Sequence, residues 1–246
     1  MDKYNWIPDL PDHRDLMYSL ADVGIPQKVD LRLDCSAVET QGRLGSCTGN
    51  AIVGAMEYIS NKNKKQFVDL SRLYVYYNER EMEGTIGRDS GAMLRDGIKS
   101  MVDYGVCTEE LWPYDINQFT VKPSEACYID GAKRKVTSYM RLNTLEDMKN
   151  CLSDGFPFVF GFSVYSNFES EVGKTGIGNL PTEGDSLLGG HAVLCVGFDD
   201  ETQRFIIRNS WGSGWGTGGY FTMPFEYLTN RNLSDDFWTI RNGALT

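Results

Sequence analysis

The sequence predicts an α+β chain of two lobes, helical first and β-rich after. Three observations carry that expectation. Apolar residues recur at helical spacing through the first half, as in Ile52, Val53, Met56 and Ile59. Short β-branched and aromatic runs dominate from residue 158 onward. More than half of the 26 glycines fall between residues 155 and 219. Helices followed by strands, rather than the two in alternation, indicate an α+β arrangement.

The elements follow in order. Residues 1–24 contain Pro8 and Pro11 and read as an extended N-terminal extension, with Pro26 just beyond. Val29-Asp30-Leu31-Arg32 alternates apolar and charged residues and suggests a short strand. Residues 47–60 read as a helix. Gly49 and Gly54 within it each cost about 1 kcal/mol relative to alanine, so their presence implies close packing against another backbone. Ser71 is suited to N-cap a second helix that carries Leu73, Tyr74 and Tyr77 on one face. Residues 91–104 give a third, with Leu94, Ile98, Met101 and Val102 inward and Gly105 as its stop. Thr144-x-x-Asp147 opens a fourth that ends at Gly155. Strands are expected at 158–165, 191–198, 204–209, 220–223 and 237–240, with a turn at 199–202.

Composition narrows the function. The 246 residues are enough to bury a core, and 41% hydrophobic against 24% charged residues excludes disorder as the default. A net charge of −10 repels phosphate backbones, so nucleic acid is not an expected partner. No apolar run approaches the ~18 residues of a membrane span. The only histidines are His13 and His191, which rules out a multi-histidine metal site. The six cysteines form no C-x-x-C pair, which removes zinc ribbons and thioredoxin-like redox centres. The N-terminus lacks the basic start and apolar stretch of a secretory signal, so the expected location is cytoplasmic, with export by another route left open. Asn232-Leu233-Ser234 is a glycosylation tripeptide of a kind common by chance.

Few residues remain for chemistry. Cys47 ends the run Gln41-Gly42-Arg43-Leu44-Gly45-Ser46 and begins the first helix. A helix N-terminus favours thiolate over thiol and suits a nucleophile, although a buried structural cysteine fits the position as well. His191 follows Gly189-Gly190 at a strand start, where glycines permit close approach of another backbone or a ligand. It reads equally as a structural histidine. Asn209 closes an apolar strand and precedes Ser210-Trp211, which suits either a turn or the orientation of an imidazole. Gly214-Trp215-Gly216-Thr217-Gly218-Gly219 matches G-x-G-x-x-G, but Tyr220-Phe221-Thr222-Met223-Pro224 follows it rather than a helix. A dinucleotide site is therefore excluded.

The order Gln41, Cys47, His191, Asn209, together with Asn209-Ser210-Trp211-Gly212-x-Gly214-Trp215-Gly216-x-x-Gly219-Tyr220, resembles the papain-like cysteine peptidases. The likeness spans nearly all of residues 25–240. It implies a two-lobed papain-like fold, with a helical lobe roughly at 36–125. The β-barrel-like lobe would cover roughly 126–240 plus the strand near 27–33, within a peptidase domain of residues 25–246. The cleft would lie between the lobes. It implies Cys47 as nucleophile, His191 as its acid–base partner, Asn209 as the group that holds the ring, Trp211 as its shield, and Gln41 as oxyanion donor. Ser90 and Gly91 would line the strip that pairs with substrate backbone, and Gly190 the pocket for the second residue before the cut. Peptide or protein would be the substrate, with no metal or organic cofactor, and a monomer is expected.

Two departures qualify the likeness. Leu44 and Thr48 stand where family members commonly carry a disulfide cysteine and a tryptophan. The chain thus resembles a bacterial or viral branch without the secretory disulfides. Residues 1–24 are too few for the family's usual helical propeptide. The run from Trp6 to Asp15 is apolar enough to dock, and it is expected to lie on the body and partly cover the cleft, the alternative being a solvent-exposed lead-in. Competing functions are a papain-fold acyltransferase or deamidase, an inactive binding protein, and a redox thiol protein.

Overall fold

The computed structural model describes residues 3–19, 24–63 and 67–241. Five helices flank the sheet: α1 (Cys47–Lys62), α2 (Arg72–Glu83), α3 (Leu94–Asp103) and α4 (Glu125–Gly131) pack in one core cluster, and α5 (Leu145–Ser153) packs in the other. Local chemistry sets their ends. The Ser71 hydroxyl accepts from the Tyr74 N–H, and Thr144 and Asp147 form a complete reciprocal capping box. Gly49 lets α1 approach α2: a Cβ there would lie 2.9 Å from the Arg72 carbonyl oxygen.

The strands are β1 (Lys28–Asp30), β2 (Ser138–Arg141), β3 (Phe158–Tyr165), β4 (Leu187–Asp199), β5 (Arg204–Arg208), β6 (Tyr220–Pro224) and β7 (Ser234–Arg241). All pairings between them are antiparallel, in the order β2-β7-β3-β4-β5-β6, with β1 on β4. The strand path stays open at β2 and β6, so the α+β papain-like expectation holds with a β lobe whose sheet does not close into a barrel.

Period-2 alternation divides the core in two. Phe158, Phe160 and Phe162 of β3 face an aromatic core with Phe205, Phe221 and Phe237. Val159 of β3, with Ala192, Leu194 and Val196 of β4, faces the other way and packs in one cluster with Ala51, Ile52 and Ala55 of α1. Alternation therefore seats the helix that begins at Cys47 against the strand that bears His191.

Other boundaries differ from expectation for physical reasons. The third helix begins at Leu94 rather than 91, because Gly91 takes a left-handed φ of 71° and Met93 is extended. β1 stops at Asp30, whose carboxylate accepts the Arg32 N–H and turns the chain. β2 and α4 carried no periodic signal: all four residues of β2 are half-buried, and α4 has only seven residues. Among the described residues, no helix is long and apolar enough to cross a membrane.

The N-terminal segment is fastened along the body. The Trp6 N–H donates to the Gly190 carbonyl and the Ile7 N–H to the Ala92 carbonyl, each at 3.1 Å. Further on, the Tyr18 N–H bonds the Arg141 carbonyl and the Arg141 N–H the Leu16 carbonyl, both at 2.8 Å, so the segment covers the β2 edge. Tyr18 is buried in the aromatic core.

Candidate active site

Cys47 is the first residue of α1 and is fully buried. The loop before it is held from both sides. Asp89 accepts the Gly45 N–H on both carboxylate oxygens, at 3.0 and 3.2 Å, and also the Tyr76 hydroxyl at 2.5 Å. Tyr114 shares a hydrogen bond with the Ser46 hydroxyl and donates to the Gln41 carbonyl, while the Arg72 guanidinium lies 4.1 Å above its ring. Neither Asp89 nor Tyr114 was found as a loop support by sequence reasoning, because both act across long chain separations.

Gln41 is fully buried with its amide orientation fixed. Its Oε1 accepts from the Ser210 hydroxyl at 2.6 Å and the Trp211 indole N–H at 3.2 Å. The Nε2 must then face the other way, toward the Leu44 carbonyl at 2.9 Å and the Lys3 carbonyl at 3.5 Å.

His191 stands in β4. Its Nε2 lies 2.8 Å from Asn209 Oδ1, which also accepts the Ser210 N–H at 2.8 Å. An oxygen that accepts twice fixes Nε2 as the donor, so the neutral ring keeps its lone pair on Nδ1, and Nδ1 has no hydrogen-bond partner. Trp211 stacks on the imidazole with centroids 4.6 Å apart. The N–H groups of Ala192 and Asn5 face the Cys47 sulfur, which sets the thiol beside the strand of His191. The structure thus brings Gln41, Cys47, His191, Asn209 and Trp211 into one cluster.

Burial dominates the electrostatics here. Desolvation pushes the Cys47 thiol up to about 12 and His191 down to about 4, the latter against the hydrogen bond that its Nε2–H donates to Asn209. The pair therefore rests as neutral thiol and neutral imidazole. The cause is the N-terminal segment as well as the body. Tyr4 sets its ring edge-on to His191 and Trp211, and Lys3 lies 4.3 Å over the Trp211 ring and pairs with Glu169.

Residues 3–7 fill the cleft between the 89–92 strip and β4. Asn5 donates to the Asp89 carbonyl at 3.3 Å, and a Cβ at Gly91 would lie 1.6 Å from the Asn5 carbonyl oxygen. The Trp6 indole occupies a slot that exists because Gly161 and Gly190 lack side chains: a Cβ at either would lie 1.9 or 2.8 Å from the ring. Ser90 turns its hydroxyl away, to Thr85 and the Gly91 carbonyl. Among the described residues, no group of three or more metal-ligating side chains is present.

A model of the papain family of cysteine proteases matches residues 25–238. The chain belongs to that family. It is 40% identical to a peptidase C1-like protein of Acanthamoeba polyphaga mimivirus, over 97% of this chain and 86% of the relative. Against a cysteine protease of Blomia tropicalis it is 27% identical, over 80% of this chain and 60% of the longer relative. The solved structure of xylellain, a cysteine protease from Xylella fastidiosa, superposes with a TM-score of 0.92 at 44% identity, covering 98% of this chain and 96% of that one. Bromelain from Ananas comosus, solved with the inhibitor E64, shares the fold at a TM-score of 0.65 and 24% identity, over 81% and 90%. The bacterial and viral likeness, the α+β papain fold and the assignment as a hydrolase of the cysteine protease class all hold. All six cysteines of this family member are free thiols.

Proposed function

We propose that this papain-family enzyme hydrolyses peptide bonds through Cys47, His191 and Asn209, and that the closed cleft is its latent form. In the open form, water and the α1 N-terminus favour the thiolate–imidazolium pair over the neutral pair. Cys47 attacks the scissile carbonyl. The oxyanion is held by Gln41 Nε2 and the Cys47 N–H, and His191 protonates the leaving amine before activating water against the thioester. Asn209 keeps the Nε2 proton in place so that Nδ1 serves the sulfur. The free thiols support a reducing compartment as the working location.

The observation that carries the latent-form reading is the seating of Lys3 to Ile7 over Gln41, Cys47 and His191. Its direction explains its survival. A substrate is expected to run from the Gly190 pocket toward Trp211, with its leaving amine on the histidine side. The segment runs the other way, from Lys3 over Trp211 to Trp6 beside Gly190, and its bridges to Gly190 and Ala92 are parallel. A reversed backbone exchanges carbonyls and amides along the cleft, so it fills the space of a substrate without presenting a scissile bond.

Labelling with a peptidyl epoxide, together with cleavage of a peptide library, tests the reading. Cys47→Ala is expected to abolish both. Stoichiometric labelling without cleavage favours an acyltransferase instead, and labelling that survives Cys47→Ala ends the catalytic assignment.

The indole slot also predicts preference. Gly161→Val closes the space that Trp6 now fills. It is expected to cut kcat/KM for peptides with an aromatic residue two positions before the cut by about 10²-fold, roughly 3 kcal/mol, while alanine-bearing peptides keep theirs. Parallel losses on both substrates would refute the slot as the determinant.

A further inference from the structure

One face of α2 holds the backbone of the strip that borders the cleft. Tyr76, Arg80 and Glu83 stand at i, i+4 and i+7 and so share that face. The Tyr76 hydroxyl accepts the Gly91 N–H at 3.1 Å. The buried Arg80 guanidinium donates to the carbonyls of Ile86 at 3.2 Å and Arg88 at 3.0 Å, and to that of Phe119. The Glu83 carboxylate accepts the Met93 N–H at 2.7 Å. Residues 86–93 thus take their position from three side chains of one helix.

Asp89 joins this strip to the loop of the nucleophile. Its Oδ1 takes both the Tyr76 hydroxyl at 2.5 Å and the Gly45 N–H at 3.0 Å, and Oδ2 shares that N–H at 3.2 Å. The Tyr76 hydroxyl donates its one proton to Asp89 while it accepts from Gly91. An unbroken chain therefore runs from the Gly91 N–H through the Tyr76 hydroxyl and the Asp89 carboxylate to the Gly45 N–H. Each end lies beside a group that the reaction uses. Next to Gly91, the Ala92 carbonyl accepts the Ile7 N–H of the segment that fills the cleft. Two residues past Gly45 comes Cys47, whose own N–H is an oxyanion donor in the mechanism above.

We propose that Tyr76 and Asp89 are positioning residues for the reaction: they hold the peptide-binding strip in register with the Cys47 N–H, so that a backbone seated on the strip brings its scissile carbonyl to the oxyanion donors. The proposal rests on the hydrolytic reading above. Both residues act through the strip and the loop rather than on the substrate. A carboxylate suits the junction because it accepts from a hydroxyl and an N–H at once, and hydrogen bonds to a charged acceptor are about twice as strong as neutral ones. Register is worth holding tightly, since a misplacement of about 1 Å can cost about 10²-fold in rate.

The test compares two substrates in the full chain carrying Trp6→Ala, whose cleft is open. A blocked tetrapeptide anilide spans the strip. The ester p-nitrophenyl acetate has no peptide backbone and draws only on the nucleophile and the oxyanion donors. Alkylation of Cys47 by iodoacetamide, which builds no oxyanion, reports the thiol itself. Tyr76→Phe frees Gly91 but leaves Asp89 on Gly45, and it is expected to lower the ratio of kcat/KM on the anilide to that on the ester about tenfold. Asp89→Ala releases both ends, so turnover of the ester should fall as well, by about 10²-fold, while alkylation is retained. Asp89→Asn keeps an oxygen in place of Oδ1 and should recover part of that loss. A merely structural role would move alkylation and both substrates together. That result, or a Tyr76→Phe ratio equal to that of its parent, overturns the positioning roles and leaves the hydrolytic reading standing. If the parent turns over neither substrate, the hydrolytic reading falls, and the positioning roles with it.

Discussion

Replacing Trp6 by alanine will raise the rate of Cys47 alkylation by about 10²-fold at neutral pH. The indole is 9% exposed and shares an apolar cluster with Leu94, Val159 and Ala192. Truncating a buried tryptophan costs about 3–5 kcal/mol, and the lower end applies here because the Trp6 indole N–H is buried without a partner. At about 1.4 kcal/mol per decade, roughly 3 kcal/mol shifts the closed-to-open balance by about two decades. Asp9, Asp15 and Tyr18 still tie the segment further along, so the variant opens the cleft without freeing the whole extension. Peptide cleavage should rise in step with alkylation. Equal alkylation rates in the variant and the wild type would mean that residues 3–7 are not the barrier.

The second large effect concerns Gln41. In the Trp6→Ala background, Gln41→Ala is expected to lower kcat by about 10²–10³-fold, or roughly 3–4 kcal/mol, with KM nearly unchanged. The amide nitrogen acts only once charge develops on the substrate oxygen, so its loss belongs to the transition state. Alanine also strands the Ser210 hydroxyl and the Trp211 indole N–H, which now donate to Oε1. Gln41→Glu keeps acceptors for both donors but removes the donor that faces the cleft, places negative charge beside the oxyanion and sets an acceptor against the Leu44 carbonyl. Its kcat should fall at least as far. A loss confined to KM would remove Gln41 from the oxyanion site.

Much of this was legible locally. The Thr144–Asp147 capping box, the Ser71 cap and the alternation of Phe158, Phe160 and Phe162 each lie within a few residues and follow from short-range rules. The cluster of Gln41, Cys47, His191 and Asn209 was legible for another reason: motif order identifies these residues where periodicity does not. What escaped depends on pairs far apart in the chain. Asp89 reaches back to Gly45, Asp9 meets Asp236, and Trp6 fits a gap left by Gly161. A glycine in an apolar strand gives no hint of which ring will cover it. The start of α3 was misplaced for a related reason, since residues 91–93 are drawn out of the helix to pair with the N-terminal segment.

The N-terminal segment is covalently joined to the body that it covers. Through a short link, a tethered ligand meets its own site at an effective concentration of order millimolar, whatever the dilution of the protein. One cut in the chain between Ser19 and Gly24 removes that advantage without altering a single contact in the cleft. At nanomolar enzyme, the severed peptide would face its site at about a millionth of the former local concentration. The same contacts would then serve as a stable closure in the intact chain and as a one-way trigger in the cut one.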